Sequence, residues 1–263
     1  MPGHLRPRPI LATTLLALLG TLGVIGCGHT ASSRHANTAE TANPAETANP
    51  AETANPASAA EKAGEAAATG LSAYNASQLE GALLTSAGGE HPAAAAETGD
   101  YGTLPDVQTS EQTMKGVKIT PARCAEVSAT GFNSAAFSLA PAAIVTFRVG
   151  RDGVSEVLIS PPPQLAAAAL SDSMPAGCAH YQARVDGKTF SYSVREATLT
   201  GVADQARAVN VKATGYAEVN VWSVVYRGRG FVGAVTMVGP DTSEQGVRQL
   251  ARDAYAYAGQ LLP

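Results

Sequence analysis

The sequence predicts an α+β fold: an antiparallel β-sheet with helices packed on one face, preceded by a signal peptide and a disordered stalk. Three observations predict it. Period-two hydrophobic alternation recurs between Ala143 and Gly239 in runs separated by glycine-containing turns. Helical patterns stand on either side of that region, and the first 70 of the 263 residues show neither pattern.

The N-terminal segment begins with Arg6 and Arg8 and continues in an apolar run from Ile10 to Ile25. That run is shorter than the roughly 20 residues a transmembrane helix needs, whereas a basic start, an apolar middle and small residues before a cleavage point describe a secretory signal. Val24-Ile25-Gly26-Cys27 resembles a bacterial lipobox, in which the cysteine is diacylated on sulfur and becomes the mature N-terminus. The expectation is therefore a lipoprotein signal peptide over residues 1–26 and a lipid anchor at Cys27. Two acyl chains hold a protein to a membrane far more firmly than one. The location expected is the cell membrane, on its extracytoplasmic side.

Residues 27–70 form an Ala/Thr/Pro-rich segment in which Thr-Ala-Asn-Pro-Ala-Glu recurs every six residues. The unit carries no large apolar side chain, so stacked copies have nothing to bury. Its prolines break helices and favour extended backbone. The segment reads as a low-complexity stalk, with an end-to-end distance of roughly 35 Å as a flexible coil. Its threonines are candidate sites for O-linked sugars, with a bare spacer as the alternative.

The chain over 71–263 is long enough for one domain with a real core. "SQLEGALLTS" opens on Ser77 three residues before Glu80, a capping-box pattern, with Leu79, Leu83 and Leu84 on one helical face. Thr120-Pro121 predicts a second helix, reaching to about Gly131, with Cys124 and Val127 turned inward. "AIVTFRVG" and "SEVLIS" alternate around an expected turn at Asp152-Gly153, and a second hairpin turns at Asp186-Gly187. "AVNVKATG" adds a strand, and "EVNVWSVVY" and "FVGAVTMVG" flank the turn Arg227-Gly228-Arg229-Gly230. The closing helix places Val247, Leu250, Ala251, Ala254, Tyr255, Ala258 and Leu261 on one face, with Thr242 and Gln245 as its expected capping box. Helices at both ends and hairpins between them give the α+β class.

With Cys27 assigned to lipid, Cys124 and Cys178 remain. Two cysteines in an oxidising compartment are expected to form a disulfide. The other reading, a metal site using Cys178 and His180, supplies two ligands where a closed zinc site takes four, so no metal is expected.

These features together carry a family resemblance. The lipobox, the stalk, "ITPARCAEV", "CAHYQARVDGKTFSYSV" and "VVYRGRGFVGAVTMVGP" followed by an alanine-rich helix resemble the uncharacterised mycobacterial lipoproteins with domain of unknown function 5642. More distantly, the region is similar to the extracellular sensor domain of mycobacterial serine/threonine kinases, an α+β domain with a cleft and disulfides. That sensor pattern has two cysteine pairs and this chain has one, so its cleft is not carried over, and the lipoprotein family offers no catalytic residues to carry over.

The residues themselves argue against catalysis. A nucleophilic serine needs a base in reach, and the domain holds only His91 and His180. The G-x-S-x-G, H-E-x-x-H, S-x-x-K and P-loop patterns are all absent from the sequence. Asp152, Asp186 and Asp204 sit in expected turns, where carboxylates cap backbone. No enzyme and no cofactor are expected. "YRGRGF" suits single-stranded nucleic acid, but the chain is acidic, at a formal charge of −4. Losing residues 1–26 removes Arg6 and Arg8 and leaves sixteen basic against twenty-two acidic residues. Phosphate backbones are repelled by such a chain, so no nucleic acid partner is expected. Two functions remain: binding of a small amphipathic ligand or cell-wall component between helix and sheet, or an accessory role docking another envelope protein.

Overall fold

The computed structural model describes residues 72–262, except 128–129, 131, 133–134, 172–173 and 217. The signal peptide, Cys27 and the stalk lie outside the described residues.

Nine strands form one antiparallel sheet in the order β1-β3-β4-β9-β8-β7-β6-β5-β2. The strands are β1 (Glu97–Asp100), β2 (Lys118–Thr120), β3 (Pro141–Val149), β4 (Asp152–Ile159), β5 (His180–Val185), β6 (Lys188–Leu199), β7 (Gln205–Thr214), β8 (Val219–Arg227) and β9 (Val232–Val238). Among the described residues four α-helices accompany them: α1 (Ala76–Gly81), α2 (Pro105–Lys115), α3 (Pro163–Ser171) and α4 (Glu244–Leu261). The α+β class and the antiparallel sheet are those the alternation predicts. Chain-adjacent strands from β5 to β9 pair in sequence order, and β4 closes against β9, so the first and last hairpins meet at the centre of the sheet.

The two helices read from the ends of the domain share one face. Leu79 and Leu83 from α1 and its following turn, and Val247, Ala251, Ala254 and Ala258 from α4, pack on Val145, Leu158, Val224, Tyr226 and Val235. On the opposite face, Val107 of α2 and Ala166 and Ala169 of α3 join Phe132 and Phe137 over Ile144, Val157, Val225 and Ala234. Further along that face Phe190, Tyr192, Val209, Val211 and Val221 form a third cluster, packed by Met174 and Val127. The second face is thus covered too, by short helices and irregular segments.

Several local expectations shift by a few residues, each for a visible reason. The α1 cap is Asn75, whose side chain accepts from Gln78 N while the Gln78 side chain accepts from Asn75 N; Ser77 lies inside the helix. The α4 cap is Ser243 rather than Thr242, accepting from Gly246 N. Thr242 instead hydrogen-bonds Asn220 O and Gly239 O. The β3–β4 turn is Gly150-Arg151, two residues before Asp152-Gly153, because Gly150 takes the positive φ (+59°) and Val149 pairs with Asp152. The Asp186-Gly187 turn forms as expected, with φ of +47° and +77°. No α-helix starts at Thr120-Pro121: Thr120 is held in β2 opposite Gln182, and only the 3₁₀ turn Ala122–Glu126 follows. Finally, Leu262 rather than Leu261 closes the α4 face, being buried while Leu261 is 49% exposed.

Candidate functional site

The structure joins Cys124 and Cys178 by a disulfide, with Cα atoms 5.4 Å apart. Cys124 sits in the 3₁₀ turn after β2 and Cys178 lies two residues before β5, so the bond fastens the turn leaving the edge strand to its neighbour. Arg123 Nε donates to Ala176 O beside it. Both cysteines are buried, which makes the bond part of the core.

The other sequence candidates are dispersed. His91 and His180 are exposed, on opposite margins of the sheet, before β1 and at the start of β5. The Asp152 carboxylate is buried and accepts from Asp241 N at 3.1 Å, closing the end of β9 onto the β3–β4 turn. Burial raises its pKa, against the backbone hydrogen bond that lowers it. Asp186 and Asp204 stay at the surface in turns. Among the described residues no three His, Cys, Asp or Glu side chains gather where they could hold a metal ion. Among them, too, no helix is long and apolar enough to cross a membrane.

Two polar arrangements were not foreseen. The first is Glu156, fully buried at the centre of the sheet on the α1/α4 face. Leu84 N donates to Oε2 at 2.7 Å, and the Tyr226 hydroxyl donates to Oε1 at 3.4 Å. Burial pushes the carboxyl up to about 7; the two hydrogen bonds pull the other way without cancelling it. Its cross-strand neighbours in register are Val145 and Val235. Through the bond from Leu84 N, this buried carboxyl anchors the turn after α1 to the sheet.

The second lies on the opposite face. Thr146, Ser155, Thr236 and Ser223 stand opposite one another on β3, β4, β9 and β8, so four hydroxyl side chains form a band across the strands. It continues through Val209 of β7 to Glu196 of β6. Ser223 and Thr236 share a hydrogen bond of 2.7 Å. On one side of the band lies the cluster of Ile144, Val157, Val225 and Ala234, and on the other that of Val194, Val211 and Val221. Arg207 closes its β7 end, donating through Nε to Ala169 O at 3.0 Å with Nη1 3.7 Å from Glu196. Above the same face α2 turns Val107 and Ser110 inward, and the buried Ser110 Oγ has no hydrogen-bond partner among the described residues. The alternation of polar and apolar residues could not disclose the band, because both faces are buried and inward serines look like outward ones.

No family model matches the chain, including the lipoprotein family its motifs suggest, and no curated protein matches it. Among solved structures, the extracellular domain of PknH from Mycobacterium tuberculosis is similar at a TM-score of 0.41 and 12% identity, over 75% of this chain and 95% of that one. A putative uncharacterised protein from Mycobacterium smegmatis, the Rv0999 ortholog, is similar at a TM-score of 0.36 and 14% identity, over 55% of this chain and 77% of that one. No residue role is transferred from either.

Proposed function

We propose that this chain is a lipid-anchored, non-enzymatic protein of the cell envelope whose domain binds a small amphipathic ligand or cell-wall component against the second face of the sheet. The observation that carries the ligand reading is Ser110. A buried hydroxyl without a partner costs roughly 1–3 kcal/mol, and alanine on the same helical stripe would avoid that cost. Over a face where a hydroxyl band runs between two apolar clusters, that unpaired group suits the polar end of a molecule whose remainder is apolar. The anchor rests on the lipobox at Cys27 and the stalk behind it.

Native mass spectrometry tests the ligand reading on the full acylated chain released from its host's membranes in mild detergent. The expected result is a retained mass increment beyond the acylated chain, reduced at least tenfold in Ser110→Val. A bare acylated mass for the wild type, or an increment unchanged in the variant, overturns it.

A further inference from the structure

The ends of the sheet differ. One carries the β3–β4 turn and the start of α4, where Arg151 and Asp241 pair. At the other, Tyr74 N donates to Ser160 Oγ at 3.0 Å, and Ser160 Oγ donates to Gly230 O at 2.9 Å. The chain therefore joins the domain beside the β8–β9 hairpin, so close that a Cβ on Gly230 would come 2.4 Å from that of Ala73. The hairpin tip reads Arg227-Gly228-Arg229-Gly230, with Arg229 exposed and Arg227 half-buried beside Gln205.

Three large apolar side chains are exposed among the described residues, and two of them are at this same end. Leu139, 75% exposed, lies two residues before β3, whose first residue Pro141 accepts a hydrogen bond from Ser160 N. Leu261 is at the end of α4, which starts near Asn220 and runs along β8 to bring Tyr255 against Tyr226, 5.9 Å between ring centroids. Six further residues carry the helix about 9 Å beyond that contact. The third, Tyr216, is at the opposite end and stacks under Lys188. Asp100 ends β1 and Asp204 precedes β7 at the hairpin end, and Arg252 of α4 donates to Gly201 O there, so the basic side chains of this end are Arg227 and Arg229 at the hairpin and Arg252 on the helix beside it.

We propose that this end, with Arg227, Arg229, Leu139 and Leu261, is a docking surface for a bilayer bearing anionic headgroups. The proposal rests on the lipid-anchor reading for its biological setting: an anchor at Cys27 keeps the domain at high local concentration near a membrane, and the described chain enters the domain at Tyr74, beside this hairpin. Arginines meet the anionic headgroups while the leucines enter the boundary between headgroup and acyl chain. At about 1 kcal/mol for each arginine near an anionic surface, the pair changes affinity about thirty-fold. The chain as a whole is acidic, so attraction to such a surface must come from a local patch.

The test uses the full mature chain from residue 27 with Cys27→Ser, so that no acyl group contributes. Co-sedimentation is measured with phosphatidylglycerol-containing vesicles and with pure phosphatidylcholine vesicles in about 0.1 M salt. The expected result is binding to the anionic vesicles at least tenfold stronger than to the neutral ones, abolished by Arg227→Ser with Arg229→Ser and by 0.5 M salt, and weakened by Leu139→Ser with Leu261→Ser. Arg229→Ser alone guards against misfolding, because that side chain is exposed. Absence of vesicle binding, equal binding to both vesicles, or binding unchanged by the arginine variants overturns the proposal. Detergent-phase partitioning of the acylated wild type reports on the anchor independently, so the two readings can fail separately.

Discussion

Tyr226 on β8 and Gly233 on β9 are paired residues whose fit allows no side chain at position 233: a Cβ there would lie 2.2 Å from Tyr226 Cζ and 2.5 Å from its hydroxyl oxygen. The ring cannot give way. Phe231 and Tyr255 meet it edge-on at 6.5 and 5.9 Å between centroids, and Glu156 holds its hydroxyl. Gly233→Ala is therefore expected to destabilise the domain by about 1–3 kcal/mol, as overpacking of a filled core does. Tyr226→Leu in the same chain should make the alanine nearly neutral. Urea unfolding of the two single variants and the double variant measures the coupling; additive losses would mean that the ring is not what excludes the side chain.

Glu156 sets a pH dependence whose sign follows from its burial. The folded protein holds that proton up to about pH 7, while the ordinary carboxyl gives it up near 4.5. Between those values the folded state binds more protons than the unfolded state, so stability is greatest below about pH 4.5 and falls as pH rises through 7. The gap corresponds to about 3 kcal/mol. Glu156→Gln keeps an acceptor for Leu84 N and should remove most of this slope. Asp106, pushed up to about 6 by burial and then by Glu97, contributes a smaller slope of the same sign from a half-exposed position. Urea unfolding at intervals from pH 4.5 to 8 should show the variant gaining on the wild type across that range. Parallel stability curves would contradict it.

How far the sequence discloses the fold depends on how many faces each element buries. The hairpin from Tyr181 to Ser193 is legible because Asp186-Gly187 forms a two-residue turn between alternating runs. The α4 helix is legible from its spacing of three and four. By contrast, α2 offers Val107 as its single aliphatic β-branched residue among Gln, Thr, Ser and Glu, and α3 is a run of alanines behind three prolines, so neither shows an apolar stripe. β1 and β2 are four and three residues long and join the sheet only as edges. Glu156 and the band from Thr146 to Ser223 were hidden for a related reason. In a strand buried on both faces, polarity does not report which way a residue points.

Cys27→Ala should leave a protein that no longer enters the detergent phase of a Triton X-114 extraction, because the sulfur that would carry the diacylglycerol is gone. Unchanged partitioning would contradict an acyl anchor at Cys27. Deleting Thr41 to Pro56 should leave the thermal unfolding of the domain where it was, since the repeat brings no large apolar side chain to bury.

Cys124 and Cys178 close a loop of 54 residues in sequence separation, from the 3₁₀ turn after the edge strand β2 to the start of β5. β2 contributes three residues and pairs only with β5, so few hydrogen bonds hold that edge in place beside the disulfide. Opening the bond enlarges the unfolded ensemble, and its loss is expected to lower stability by about 2–5 kcal/mol. Cys124→Ser and Cys178→Ser should each show the full loss, with the double variant little worse than either, because one substitution already opens the loop. The loss should also be local in its first effects: hydrogen exchange in Lys118–Thr120 should rise before exchange in the central strands β4, β8 and β9 does. Non-reducing peptide mapping of the wild type should recover the two cysteines in one linked pair. Free reaction of both thiols with iodoacetamide in the folded, unreduced protein would contradict the pairing.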